Sequence, residues 1–233
     1  MNPFVSPKGM LLLIFLLTLS VNLLGDTQKE SAGDISPLRA MIALQKSIHT
    51  LSADFTQSRS LKTLRDPLIS HGKLWIQPQQ FFRWELGTPP KTIVIGTPTE
   101  TTVIQPFKKT ASKKIRSSSI GGTDTSEAFG MMSLPGNGDF DDFQREVRIL
   151  RTENSAGIFH VEFIPKNTEQ VRGLTAIRLD FNSQTGQWIR LEFLTRDGSS
   201  IRNDFTDIKT NQKLDPHLFG YNLTGFRISD EKK

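Results

Sequence analysis

Ala53-Asp54-Phe55-Thr56-Gln57, then Gly72-Lys73-Leu74-Trp75-Ile76, Phe82-Arg83-Trp84-Glu85-Leu86 and Pro89 follow one another in the stretch that decides the fold. Apolar and polar residues alternate through these segments, the period of a strand whose successive side chains leave opposite faces. Leu74, Ile76, Phe82, Trp84 and Leu86 fall on one face, and Lys73, Arg83 and Glu85 on the other. Further on, Ile93 and Ile95, Leu179 and Phe181, then Leu191 and Phe193 read as continuing the apolar face. A sheet with one such face must cover it or offer it to a ligand.

Working outward, the chain reads as a long antiparallel meander. Candidate strands span 71–76, 80–86, 92–95, 101–105 and 113–116, then 147–152, 158–164, 174–181, 188–195 and 201–209. Turn chemistry separates the later ones at Asn154 to Gly157, at Ser183 to Gly186 and, most clearly, at Asp197-Gly198. Short turns without crossover helices predict a mainly β, α+β chain built on a curved antiparallel sheet or open barrel.

Helices are expected at three places. Ser36-Pro37 followed by Leu38, Met41, Ile42, Ile48 and Leu51 predicts an N-capped helix over 37–50 with an apolar stripe. A second, inserted helix is expected from Asp124 to Leu134, carrying Ala128, Phe129, Met131, Met132 and Leu134 and stopping at Pro135-Gly136. A short third is expected over 139–143. Flexible Met side chains suit either variable ligands or core gaps, and both readings stay open.

The N-terminus stands apart. Lys8 precedes an apolar run from Met10 to Leu17 that continues with few polar breaks to Leu24, shorter than the roughly 20 residues of a membrane span. A cleaved secretory signal over residues 1–25 is expected, the mature start falling between Val21 and Thr27, with residues 26–233 as a single domain. Without any Cys there is no disulfide, thiolate chemistry or lipid attachment at the chain's own N-terminus. The formal charge of +5 becomes +4 in the mature chain, since only Lys8 is lost. That excess favours encounter with anionic surfaces and does not by itself point to nucleic acid.

Aromatic usage is skewed, with 16 Phe and 3 Trp against the single Tyr221. Phe contributes area without a hydroxyl that needs a partner, so a Phe-lined interior discriminates by volume and polarity. His49, His71, His160 and His217 are too scattered for metal-ligand spacing. The acids Asp139, Asp141 and Asp142 read as a helix start, because the Gly and closing Glu of a calcium loop are missing. Gly136-Asn137-Gly138 does not extend to a dinucleotide fingerprint, and no nucleophile-elbow pattern occurs, so neither enzyme, metal site nor cofactor is expected. Lys108, Lys109, Lys113, Lys114 and Arg116 form a basic cluster in or beside a hairpin loop, read either as a solvated edge or as a docking site for an anionic partner or lipid headgroup.

These residues together resemble the LolA-type periplasmic carriers of outer-membrane lipoproteins. The resemblance begins at Ala53 to Gln57 and runs through Gly72 to Trp75, Phe82 to Trp84 and Pro89. It resumes near Phe129 to Met132, at Phe163-Ile164-Pro165-Lys166, at Asp197-Gly198 and over Asn211 to Asn222 with Asp215 and Phe219. It implies an incomplete β-barrel covered by an N-terminal helix and an inserted lid, in the periplasm of a diderm bacterium. The implied acyl-binding cavity is lined by Leu74, Ile76, Phe82, Trp84, Leu86, Ile93, Ile95, Phe163, Leu179, Phe181, Leu191 and Phe193, with Phe129, Met131, Met132 and Leu134 on the lid. The implied partners are acylated lipoprotein cargo, an inner-membrane ABC release complex and an outer-membrane receptor, the carrier itself being a monomer. Many members carry a basic residue just before a Pro in the strand preceding Phe82; here Gln77-Pro78 stands, and Arg83 has the wrong parity to replace it. A carrier of another lipid or glycolipid, or an envelope-stress lipid sensor, would use the same fold.

Overall fold

The computed structural model describes residues 34–78, 80–115, 139–166 and 173–231 of the 233-residue chain. The first half of the sheet holds β1 (Leu51–Ser60), β2 (Leu68–Gln77), β3 (Phe81–Leu86), β4 (Thr92–Gly96), β5 (Glu100–Gln105) and β6 (Thr110–Ile115). The second half holds β7 (Val147–Ser155), β8 (Ile158–Pro165), β9 (Leu174–Asn182), β10 (Trp188–Thr195) and β11 (Ser200–Thr210), and β12 (Arg227–Glu231) follows at the end. All lie in one sheet of order β12-β6-β5-β4-β3-β2-β1-β11-β10-β9-β8-β7. Neighbours pair antiparallel except β12, which runs parallel to β6. The two outermost strands do not pair with each other, so the curved sheet stays an open, incomplete barrel.

Two helices cover one face, called inner below. Helix α1 (Ser36–Leu44) continues into a 3₁₀ turn (Gln45–Ser47), ending sooner than the expected 37–50. Its start also differs: Ser36 is the first helical residue, the N-cap residue Ile35 has no capping side chain, and Asp34 Oδ1 instead accepts the Ser36 N–H. A helix this short is marginal alone, so its stability comes from Leu38, Met41 and Ile42, all buried against the sheet. Helix α2 (Phe140–Glu146) starts where the three acids predict it, with Asp139 Oδ1 accepting from the Asp141 and Asp142 N–H groups. Phe143 packs edge-on against Phe163 at 5.5 Å, and the Arg39 guanidinium of α1 lies 4.1 Å over the Phe140 ring. The expected helix over 124–134, with Phe129, Met131, Met132 and Leu134, lies outside the described residues, as do the expected signal segment and Arg116.

Register assigns the faces. Trp84 pairs with Leu74 on one side and Val94 on the other, and Val94 pairs with Val103. Across the other half, Val161, Leu179 and Leu191 continue in line. These side chains belong to one core with Phe55, Phe159, Phe181 and Phe205; Phe55 stacks on Trp84 at 5.3 Å.

The outer face of β8 to β11 is by contrast a lattice of opposite charges. His160, Asp180, Arg190 and Asp204 form one row, and Glu162, Arg178, Glu192 and Arg202 the next. Hydrogen bonds to Asp204 and to Glu162 raise the Arg190 and Arg178 pKa values above their ordinary range, keeping both charged.

Candidate functional site

Where the inner face meets the end of α1, the sheet and helix part to leave a cavity of about 720 Å³. Strand register builds its floor: Leu51 lies between Thr210 and Ile76, with Trp188 and Ile208 alongside and Met41 above. The 3₁₀ turn after α1 makes one wall and the β9–β10 turn the facing one. Gly186 in that turn has φ 69° and approaches so closely that an added Cβ would lie 2.9 Å from Leu44 Cδ1. Glycine fits both demands.

The rim is polar. Gln45, Gln77, Gln80, Gln187 and Asn211 contribute amides, with Lys46 and His49 beside them, and no described lining residue is acidic. Asn211 fixes the wall: in the left-handed region at φ 58°, its Oδ1 accepts from the His49 N–H at 2.7 Å while its Nδ2 donates to the Ser47 carbonyl at 3.0 Å. Thr50 Oγ1 donates to the Gln212 carbonyl at 2.6 Å and completes the clamp. Asn is among the few residues that adopt this backbone conformation readily. From the sequence, Asn211 stands only as the start of the resembling C-terminal segment, with no part in the site; the signal was an Asn just after the last strand of the meander.

Leu74, Phe82, Trp84, Phe163, Leu179, Phe181, Leu191 and Phe193 share the inner-face core, with Leu86 packed at its margin. In this state they are closely packed, and only Ile76 of the predicted lining also reaches the cavity. Ile93 and Ile95 correct the expectation. They stand opposite Glu85 and Arg83, so they lie on the outer face, where Ile104 and Ala111 join them under Leu223 and Phe226. The cause is the β3–β4 turn, where the Lys91 N–H donates to the Leu86 carbonyl and Leu86 is set opposite Thr92. This turn puts Val94, not its two neighbours, on the inner face.

The basic cluster is dispersed as well. Lys113 and Lys114 alternate along β6, Lys113 holds Glu100 at 3.0 Å, and β12 covers the strand's edge. Lys108 ends a 3₁₀ turn and Lys109 follows in the left-handed region.

The outer face also carries the chain's return. Arg83, nearly buried, donates to Glu85 and to the carbonyl oxygens of Leu218 and Gly220, while Phe81 stacks on Phe219 at 5.3 Å. A second hollow, about 850 Å³, lies under this segment beside Phe81, Pro216 and Tyr221. No group of side chains suited to hold a metal occurs among the described residues, and no described helix is long and apolar enough to cross a membrane.

An uncharacterized conserved protein from Thermus thermophilus superposes with a TM-score of 0.50 over 83% of this chain and 98% of its own, at 10% identity. A LolA superfamily protein from Nitrosomonas europaea gives 0.42 at 10% identity over 78% and 97%. A putative outer membrane lipoprotein-sorting protein domain from Vibrio parahaemolyticus gives 0.42 at 13% identity over 78% and 95%. No curated protein matches the sequence. The family model described as outer membrane lipoprotein carrier protein LolA matches residues 46–222, from the turn after α1 to just short of β12. With most of its length matched in this way, the chain belongs to the LolA family.

Proposed function

We propose that the protein is a periplasmic carrier that shields the acyl chains of lipoproteins against its inner face on their way to the outer membrane. The observation that carries this reading is a single apolar face, running from Val94 through Trp84, Leu74 and Phe55 to Leu191, Leu179 and Phe163, with a cavity already open at its edge. On this reading an inner-membrane ABC complex loads the carrier and an outer-membrane receptor unloads it.

Magnitudes support such a role. Releasing the three buried side chains of α1 costs at most about 5–9 kcal/mol at the usual 1.5–3 per buried apolar side chain. Burying one acyl chain of about 16 carbons returns roughly 12 kcal/mol at 0.8 per CH₂. Against water, one chain therefore offsets displacement of the helix, whereas a chain leaving a bilayer gains little and its loading takes work from the release complex; a lining of Phe, Leu and Ile supplies area without directional bonds that would hinder release. A lipid tail entering at the cavity would meet Ile76 and Trp188 first and then lift α1 from the core.

The test is extraction. Vesicles bearing a triacylated lipoprotein and the inner-membrane ABC release complex are incubated with the protein and ATP, and the soluble fraction is assayed for lipoprotein. The wild type should solubilise it, and Ile48→Glu, which places a carboxylate in the cavity wall, should reduce this at least tenfold while remaining folded. Lipoprotein left wholly in the vesicles by the wild type would refute the reading, and extraction of phospholipid alone would move the cargo to another lipid.

A further inference from the structure

We infer that the cavity beside α1 is in addition a binding site for a free fatty acid, its tail on the apolar floor and its carboxylate at the rim. This goes beyond the carriage of lipoprotein, because a small single-chain amphiphile needs no displacement of α1. Leu51, Ile76, Trp188 and Ile208 form a floor that takes a methylene chain, and a volume of about 720 Å³ lies within the roughly 300–1,000 Å³ typical of sites for ligands of that size. A two-chain lipid would require the core itself to open.

The rim decides the headgroup. Lys46 supplies a positive charge, His49 and five side-chain amides supply donors, and no described lining residue offers a carboxylate to hold a cation. Amides serve a neutral headgroup as well as an anionic one, so the discrimination rests on Lys46. Because this ammonium is exposed, its effect is that of a surface charge, a few-fold in affinity and reduced by salt.

The experiment uses two fluorescent probes below their micelle concentrations, 11-(dansylamino)undecanoic acid and the same tail ending in trimethylammonium. Energy transfer from tryptophan reports binding, and Trp188→Phe, which removes the donor on the cavity floor, should reduce it. The wild type should bind the carboxylate several-fold more tightly at low salt. Lys46→Glu should weaken the carboxylate about five- to tenfold and strengthen the cationic probe, whereas Lys113→Glu, on β6, should change neither. Equal affinity for the two probes, no response to Lys46→Glu, or undiminished transfer in Trp188→Phe would each overturn the inference while leaving lipoprotein extraction unaffected. Binding of neither probe would overturn it too, and the extraction assay would then judge the carrier reading by itself.

Discussion

Gly72 and Gly96 show how closely aromatic rings lie on the inner face. A Cβ on Gly96 would meet the Phe82 ring first, whereas one on Gly72 would meet both the Phe55 ring and the Glu85 backbone carbonyl at its closest contacts. A ring can turn aside, but a backbone carbonyl in the β2–β3 ladder cannot. Gly72→Ala is therefore expected to cost about 3 kcal/mol and Gly96→Ala nearer 1, within the range for overpacking, read as shifts in urea midpoint at constant slope. Equal costs would mean that the carbonyl yields. Phe82, lying over Gly96 and only 6% exposed, is by the same reasoning a poor position for an added charge, and cavity probes belong at Ile48 instead. Asn211→Ala removes two hydrogen bonds of about 1 kcal/mol each and leaves Ala in a left-handed conformation. A loss of about 2–3 kcal/mol is expected, with faster hydrogen exchange over 45–50; an effect below 0.5 kcal/mol would show that the clamp does not hold the wall.

The strands and their alternation were legible in the sequence, because a half-buried antiparallel strand must alternate and because Asp197-Gly198 and similar turns mark its ends. Parity failed at Ile93-Val94-Ile95, where both faces are buried and alternation disappears; only the register set by the preceding turn decides between them. Strand β12 was not legible either, since Arg227-Ile228-Ser229 carries one apolar residue and pairs in parallel, with no hairpin to announce it. The site was least legible, since its floor and rim converge from α1, β1, β2, the β9–β10 turn and the end of β11. Pinning of the C-terminal segment depends on Arg83. Arg83→Met leaves Glu85, whose side chain is only 17% exposed, without its partner, and frees two carbonyl oxygens. A cost of about 2–3 kcal/mol is expected, below the range for fully buried pairs, with new tryptic cleavage at Lys213. Adding Glu85→Gln should recover part of that stability. At the β10–β11 turn, hydrogen bonds from Thr195 and from Ser199 hold the Asp197 carboxyl below the usual range. Its contribution is therefore complete above the ordinary carboxylate pKa and lost as pH falls through the lowered one. Melting temperature against pH should be flatter in that acid window for Asp197→Asn than for the wild type.

At the scale of the molecule, the proposed function sets one apolar face two demands, closed to water in the empty protein and available to a ligand. Short helices reconcile them: α1 holds by three buried side chains and its N-cap residue Ile35 has no capping side chain, so its removal costs less than a single acyl chain returns on leaving water. The charged lattice on the outer face of β8 to β11 keeps that half wetted and leaves the inner face as the apolar one, to which the proposed function assigns lipid. The central claim is that an acyl chain occupies this inner face in the working protein. Native mass spectrometry of the protein released gently from the periplasm tests it most directly: a population heavier than the bare chain by the mass of an acylated ligand, lost in Ile48→Glu, is predicted. The bare mass alone, with the same spectrum before and after incubation with ATP and vesicles bearing lipoprotein and the release complex, would contradict it.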